Sequence, residues 1–252
     1  MDRLIFTATT ALNEYRLDRQ SLTHELANVS TTGFKKSFEV ANRSVRVDGD
    51  GFDSRFLPRA FTMNRVDLTN GPRTLTGRSL DIAMDNQTVL GVQSNNGDLA
   101  FTRRGDFQVG PDGLLRTGEG HLVLNEDRDP ITLPVGSVTY DIGADGTLSF
   151  MDPSAPELGS TSITRLFLRD ASETPLSRRE DGLFTPSEGG PDFENGTGVA
   201  SVTVGVLEGS NVSTVHTLVK FIDHMRSFEM QTKVIKEMKD NDARGEALMR
   251  LS

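Results

Sequence analysis

Histidines are the residues of this chain best suited to hold a metal ion or move a proton, and there are four: His24, His121, His216 and His224. Two histidines that chelate one ion from a helix lie about four residues apart, so that both rings face it. His216 and His224 lie about two helical turns apart, which is too far for such a pair. The chain also lacks the HExxH, GxSxG and P-loop patterns. The histidines therefore predict no metal site.

Carboxylates are the other candidates for chemistry, and the sequence has 36 of them. A pair of acids can cleave a glycosidic bond, which would make the chain a hydrolase. The segment 48–51, Asp-Gly-Asp-Gly, has the composition of a calcium loop, but the acid that closes an EF-hand would fall on Arg59. Most remaining acids fall in predicted turns or on polar helix faces, where solvation explains them. We expect no enzyme activity, catalytic residue, bound metal or cofactor.

Composition and charge limit the kinds of partner and site that this chain can have. The net charge is −9 and the isoelectric point is about 5.0, so no basic surface is available for nucleic acid. No cysteine is present, which excludes disulfides and thiolate metal sites. The first twenty residues are interrupted by charges such as Asp2 and Arg3, so they predict no cleavable signal peptide. No apolar run is long enough to span a membrane.

The first 34 residues predict a helix with a narrow apolar seam. Two columns of a heptad repeat are apolar or aromatic at every position except Arg19. The columns are Ile5, Leu12, Arg19 and Leu26, and Ala8, Tyr15, Leu22 and Val29. The helix is expected to pack along one partner and to expose its other side.

The last 43 residues, 210–252, predict a second helix. Ser210 or Asn211 is a suitable N-cap. No glycine or proline interrupts 212–244, so a helix of roughly 30 residues and about 45 to 50 Å is allowed. Its apolar band is wider than a seam, and includes Val215, Leu218, Val219, Ile222, Met225, Phe228, Met230, Val234, Ile235 and Met238.

Between the helices the pattern changes from helical to alternating. Glycine-containing turns at 95–98, 110–113, 143–146 and 195–198 separate short predicted strands such as 107–109 and 147–150. The predicted fold is α+β, with N- and C-terminal helices paired as a coiled-coil-like core around an all-β middle, a small barrel or sandwich. The predicted boundaries are 1–34 for the first helix and its stop, 35–78 for an extended arm, 79–209 for the β region and 210–252 for the second helix.

The stretch LANVSTTGFKK, residues 26–36, ends the first helix in small and hydroxylated residues followed by Gly33 and Phe34. Gly33 can adopt the left-handed conformation that stops a helix, and Ser30, Thr31 and Thr32 can hydrogen-bond its end. On its own this is also an ordinary helix C-cap without a role in assembly.

Three segments together resemble the flagellar rod and hook family of axial proteins. They are LANVSTTGFKK, the C-terminal run that begins SNVSTVHTLVKFIDHMRSFEM, and the central stretches TGRSLDIAMDN and FTRRGDFQVGPDGLLRTGEGHLVL. The chain departs from the family pattern at His24-Glu25, at 87–90 and at Met225. The start MDRLIF, the short arm and the length resemble a proximal-rod member, with a distal-rod member as the near alternative.

The resemblance implies a structural subunit of the flagellar basal-body rod, a hollow shaft that transmits torque from motor to hook. It implies polymerisation with copies of itself and with other rod proteins, a position crossing the periplasm, and export through the flagellar type III apparatus without a cleavable signal. No nucleic acid and no membrane span are expected. The implied assembly interface comprises Ile5, Ala8, Leu12, Tyr15, Leu22, Leu26, Asn28, Val29, Thr32, Gly33, Phe34, Asn211, Val212, Leu218, Ile222, Met225, Phe228, Glu229, Val234, Ile235 and Met238.

Two alternatives from other classes stay open at this point. A rod must cross the cell wall, so peptidoglycan hydrolysis is the enzyme alternative. A β-rich adhesin or ligand-binding module on a helical stalk is the other, and it predicts folded, protease-resistant termini in the isolated protein.

Overall fold

A computed structural model describes residues 2–38, 41–46, 56–61, 65–134, 139–152 and 159–249. Within these ranges the chain forms nineteen strands and two helices. It divides into two compact units, one of residues 1–27, 39–63 and 213–252, and one of residues 28–38 and 64–212. We call them the helical unit and the β unit.

The helical unit contains both helices and one hairpin. The helices are α1 (Asp2–Ala27) and α2 (Thr214–Met249). The hairpin pairs β2 (Ala41–Arg46) with β3 (Phe56–Phe61) in antiparallel register. None of the described helices has an apolar stretch sufficient to cross a membrane.

The predicted coiled-coil-like core of paired terminal helices is wrong. Among the described residues, nineteen of the twenty-one helices and strands are strands. On α2, Leu218, Ile222 and Val234 expose 45%, 45% and 48% of their surface, whereas a coiled-coil seam buries such residues in its partner. Among the described side chains, α1 meets α2 through the rings of Tyr15 and His224, whose centroids lie 4.9 Å apart. Heptad spacing identified apolar residues but could not show whether a partner covers them.

The β unit is built from antiparallel sheets. Its largest sheet has ten strands in the order β1-β4-β16-β17-β8-β7-β11-β10-β9, with β15 paired to β7. These strands are β1 (Ser37–Phe38), β4 (Arg65–Val66), β7 (Thr88–Gln93), β8 (Leu99–Thr102), β9 (Phe107–Val109), β10 (Leu115–Thr117), β11 (Leu122–Val123), β15 (Leu168–Asp170), β16 (Leu176–Arg178) and β17 (Phe184–Pro186). The order does not return to its first strand among the described residues, so the barrel of the predicted 'small barrel or sandwich' is also wrong.

Three smaller sheets complete the β unit. One joins β12 (Thr139–Ile142), β13 (Thr147–Met151) and β14 (Thr161–Arg165). The other two pair β18 (Val202–Val204) with β6 (Ile82–Met84) and β19 (Val206–Glu208) with β5 (Arg73–Leu75). The strands that lead towards α2 therefore pair with strands from the first third of the chain.

Two apolar clusters form the core of the β unit. The larger one gathers Ile82, Leu90, Phe107 and Leu148, and the second is centred on Phe101 and Phe167. Gly91 lies directly beneath the Phe167 ring, and a Cβ at this position would come within 2.0 Å of it. Close packing of the strand against the ring therefore requires glycine here.

Candidate functional site

The two chain segments adjacent to the helices cross the β unit side by side. Gly33 donates its backbone N–H to the carbonyl of Glu208 at 2.7 Å, and Asn211 donates to the carbonyl of Phe34 at 3.3 Å. Residues 28–36 follow α1 and residues 208–212 precede α2. The β unit thus holds both segments against each other, and we call this region the junction.

Gly33 allows the first segment to approach the sheet closely. Its φ is +70°, in the left-handed region, and a Cβ here would lie 2.6 Å from the carbonyl oxygen of Arg103. The predicted left-handed conformation is confirmed, but its purpose differs from the prediction. α1 already ends at Ala27, and turns in which Thr31 bonds to Asn28 and Phe34 bonds to Thr31 come next. Gly33 therefore allows the segment to pack against the Arg103 backbone and does not end the helix.

A buried cluster of charges lies beneath this contact. Lys35 Nζ donates to Glu208 Oε1 at 2.7 Å, and Arg103 Nη2 and Nε donate to Glu208 Oε2 at 2.8 and 2.9 Å. All three side chains are fully buried. Two cations thus share one carboxylate away from water. Such a buried cluster is stable only when its remaining donors and acceptors are also paired.

The surrounding backbone supplies those partners. Lys35 Nζ also donates to the Thr69 carbonyl at 2.8 Å, and Gly71 N–H donates to Glu208 Oε1 at 2.9 Å. The Arg103 guanidinium donates further to the carbonyls of Met84, Asn86 and Thr88 and to Asn70 Oδ1. The cluster is therefore a hydrogen-bonded network that joins Arg103, directly after β8, to β19 and to the loop before β5.

Burial also changes the acidity of the two cations. Burial, together with the positive charge of Arg103, lowers the pKa of Lys35 to about 8 although Glu208 acts in the opposite direction. Burial likewise lowers the pKa of Arg103, and Glu208 again opposes the change. The Glu208 carboxylate thus favours the charged form of both cations, against the effect of burial.

Asn211 joins three segments through its side-chain amide. Its Oδ1 accepts from the Lys36 backbone N–H at 2.7 Å, and its Nδ2 donates to the Asp67 carbonyl at 2.9 Å. Nδ2 also lies 3.2 Å from Thr69 Oγ1. Asn211 was predicted as a possible N-cap, but α2 begins at Thr214. Its amide instead pairs with backbone groups of two other segments.

Asp67 and Phe34 add two contacts at the edge of the junction. Burial alone would raise the pKa of Asp67, but hydrogen bonds from Thr69 and Lys36 outweigh it and the pKa is lowered. The guanidinium carbon of Arg178 lies 4.4 Å from the centroid of the Phe34 ring, within the range of a cation–π contact. Phe34 thereby anchors the first segment to β16.

The helical unit offers a second candidate surface on α2. Val215, Leu218, Val219 and Ile222 are exposed. Their spacing places apolar side chains on successive turns of the helix. We call this set the α2 apolar face. Clustered exposed apolar residues of this kind are typical of protein interaction surfaces.

The predicted interface residues fall into four groups. The side chains of Ile5, Ala8, Leu12 and Met238 lie outside the described ones. Gly33 and Val212 are buried, and Leu218, Ile222, Met225, Glu229 and Val234 are exposed. The half-buried residues are Tyr15, Leu22, Leu26, Asn28, Val29, Thr32, Phe34, Asn211, Phe228 and Ile235. The structure brings Gly33, Phe34 and Asn211 together at the junction.

Sequence reasoning missed the charged members of the junction. Lys35 lies in the stretch LANVSTTGFKK but was given no role, and Arg103 and Glu208 were not singled out. No local pattern distinguishes a buried arginine or glutamate from an exposed one. The nearest signal is the position of Lys35 directly after the Gly33-Phe34 pair and of Glu208 just before Ser210-Asn211.

The described residues contain no group of three histidine, aspartate or glutamate side chains that could hold a metal ion. The arrangement at the junction is suited to fixing two chain segments. The α2 apolar face is suited to contact another protein surface.

Comparison with known proteins connects these features to a family. Residues 83–150 match the flagellar hook protein FlgE/F/G D1 domain, and residues 203–248 match the flagellar basal body rod FlgEFG protein C-terminal region. Over the full length of both chains, the sequence is 39% identical to the flagellar basal-body rod protein FlgF of Salmonella typhimurium and 38% identical to that of Escherichia coli. It is 26% identical to the flagellar basal-body rod protein FlgG of Bacillus subtilis, over 93% of this chain and 94% of that protein.

Proposed function

We propose that this chain occupies the proximal segment of the flagellar rod and passes torque towards the distal rod. The premise is that the chain belongs to the flagellar basal-body rod family. It is a rod protein of FlgF type and a structural subunit of the rod. The observation that carries the proposal is the full-length similarity to FlgF proteins at 39% and 38% identity. The corresponding figure for the FlgG protein of Bacillus subtilis is 26%. This difference favours the proximal over the distal alternative.

The α2 apolar face is the proposed contact with neighbouring rod subunits. Val215 exposes 74% of its surface and Val219 exposes 52%. Their transfer from water into a subunit contact would favour polymerisation by about 25 cal/mol for each Å² of apolar surface buried. The remaining predicted interface residues, from Ile5 to Met238, belong to the same proposal.

The junction is proposed to carry load between the chain segments that lead to the helices. Residues 28–36 and 208–212 are bound to each other through Glu208, Lys35 and Asn211. A force applied along either segment would act on several buried bonds at once instead of on a single flexible connection. Such a connection is suited to a subunit that transmits torque and has no catalytic role.

Assembly of a rod beyond the cytoplasmic membrane requires export of its subunits. The proposed route is the flagellar type III apparatus, without cleavage of a signal. The support for this route is the resemblance to axial proteins. The proposed partners after export are copies of this chain and other rod proteins.

The test of the proposal is a charge placed on the α2 apolar face. Ile222 is exposed, so Ile222→Asp should leave urea unfolding of the isolated protein unchanged. In a strain lacking the native gene, this variant should fail to enter purified basal bodies and should abolish swimming. Lys220→Asp is the matched control, because it places the same acid on an exposed polar position of the same helix.

Normal incorporation of Ile222→Asp would contradict the proposed interface. The position along the rod is tested separately by deletion of the gene. A rod that stalls before its distal segment supports the proximal assignment, whereas a complete proximal segment without this protein would overturn it.

A further inference from the structure

Three asparagine–glycine pairs occur in the chain, at Asn70-Gly71, Asn96-Gly97 and Asn195-Gly196. This dipeptide is chemically labile because glycine does not hinder attack of its own backbone nitrogen on the preceding side-chain amide. All three asparagines are solvent-exposed. Exposure therefore does not distinguish the three asparagines, but their hydrogen bonds do.

Asn70 is held at its side-chain amide and at the backbone nitrogen that would attack this amide. Its Oδ1 accepts from Arg103 Nη2 at 2.9 Å, and the N–H of Gly71 donates to Glu208 Oε1 at 2.9 Å. A Cβ on Gly71 would lie 2.2 Å from the carbonyl oxygen of Gly209, so the backbone there is also enclosed. The Gly71 nitrogen cannot turn towards the Asn70 amide without breaking the charge cluster.

Asn195 is held in a comparable way. Its Oδ1 accepts from the backbone N–H of Asp170 at 3.0 Å, and the Gly196 N–H donates to the Asp170 carbonyl at 2.9 Å. A Cβ on Gly196 would come within 2.3 Å of Ser172 Oγ. The pair is therefore fixed against the end of β15.

Asn96 differs from both. It lies at the tip of the β7–β8 hairpin, and its side-chain amide has no hydrogen-bond partner within the part of the chain that the structure describes. Gly97 makes one backbone bond, to the Ser94 carbonyl at 2.9 Å, and a Cβ there would meet nothing within 4 Å. Gln93 Nε2 donates to the Gly97 carbonyl at 3.1 Å, but only one turn bond restrains the attacking nitrogen.

We propose that Asn96 is a site of spontaneous deamidation in the folded protein and that Asn70 and Asn195 are protected. The Gly97 nitrogen bonds to Asn96 Cγ, the Cγ–Nδ2 bond breaks, and Nδ2 leaves as ammonia with the proton lost from Gly97. Water then opens the succinimide ring at either carbonyl and gives aspartate or isoaspartate. No other reactant is required.

The product changes the local charge and the hairpin. A new carboxylate forms two positions before Asp98, which pairs with Arg179 at 3.4 Å. The isoaspartate product also adds a methylene to the main chain of the turn. This extra atom disrupts the geometry that the hydrogen bond from Gly97 to Ser94 maintains between β7 and β8. The native chain thereby acquires a more acidic hairpin tip as it ages.

The test is incubation of the intact protein at mildly alkaline pH, followed by peptide mapping by mass spectrometry. In the folded protein, the peptide with Asn96 should gain the mass of amide-to-acid conversion and should contain isoaspartate, while the peptides with Asn70 and Asn195 should not change. In urea all three peptides should convert. Asn96→Gln should remove the modification, since glutamine forms the larger ring far more slowly.

Two results would overturn the proposal. One is conversion of Asn70 or Asn195 in the folded protein at the rate of Asn96. The other is an Asn96 peptide that converts in urea and stays intact in the folded protein.

Discussion

Glu208 and Lys35 stand 173 positions apart in sequence, yet their side chains share a buried hydrogen bond of 2.7 Å. Glu208 accepts from Arg103 through its other oxygen. The carboxylate thereby joins the segment after α1, the strand β8 and the segment before α2.

Removal of this carboxylate should strongly destabilise the β unit. In Glu208→Gln, Lys35 and Arg103 stay buried without their counter-charge, and the free energy of unfolding should fall by about 3–5 kcal/mol. Urea unfolding followed by circular dichroism measures the change. Glu119→Gln is the matched control, because Glu119 pairs with Arg104 at the surface and should change stability by no more than about 1 kcal/mol. Equal effects would contradict the role assigned to the charge cluster.

Substitution of Gly33 by alanine should separate steric overlap from backbone strain. Gly33 and Gly77 have φ values of +70° and +72°, but a Cβ meets Arg103 only at Gly33 and meets nothing within 4 Å at Gly77. Gly77→Ala should cost about 1 kcal/mol from the left-handed conformation alone. Gly33→Ala should cost about 1–3 kcal/mol more because of the overlap. Thermal unfolding of the two variants checks this order, and similar losses would refute the close approach.

The side-chain amide of Asn211 should stabilise the fold both as a hydrogen-bond donor and as an acceptor. Asn211→Asp keeps the acceptor for Lys36 N–H but places an oxygen opposite the Asp67 carbonyl, which now lacks its donor. The expected loss in unfolding free energy is about 1–3 kcal/mol. Asn95→Asp, at an exposed hairpin tip, makes the same chemical change and should have little effect. A stable Asn211→Asp variant would show that this amide is dispensable.

Acid should weaken the β12–β13 hairpin through Asp145. Hydrogen bonds from the hydroxyl and backbone N–H of Thr147, with help from Arg165, lower the pKa of Asp145 from 3.8 to about 2. A carboxyl whose pKa is lower in the folded state stabilises the protein above its unfolded pKa, and this stabilisation is lost as the pH falls towards the folded pKa. The wild type should therefore unfold at higher urea than Asp145→Asn above pH 4, and the difference should shrink between pH 4 and pH 2. A difference that stays constant over this range would exclude the ionised carboxylate as its source.

Local features of the fold could be predicted from the sequence because they depend on neighbouring residues. The turn at 143–146 is set by Asp145 and by Gly146, whose φ is +83°. The strand predicted at 107–109 agrees with β9 (Phe107–Val109). Turn chemistry and alternation carry such information within a few residues.

Features that depend on distant partners could not be predicted. The apolar spacing of α2 identified Leu218 and Ile222, but the sequence does not show whether another helix covers them, and both are exposed. The sequence around Lys35 does not indicate its partner, because Glu208 belongs to a strand almost at the other end of the β unit. A buried ion pair of this kind requires the tertiary structure, since each residue alone resembles an ordinary surface charge.

The bond between Lys35 and Glu208 also affects the time at which the β unit can complete its folding. A growing chain that has reached only residue 200 contains Lys35 and Arg103 but not the carboxylate that neutralises them. Contacts between such distant residues form late because a long loop must close first. The nascent subunit therefore cannot complete this charge cluster or the pairing of β19 with β5 until synthesis has passed residue 208.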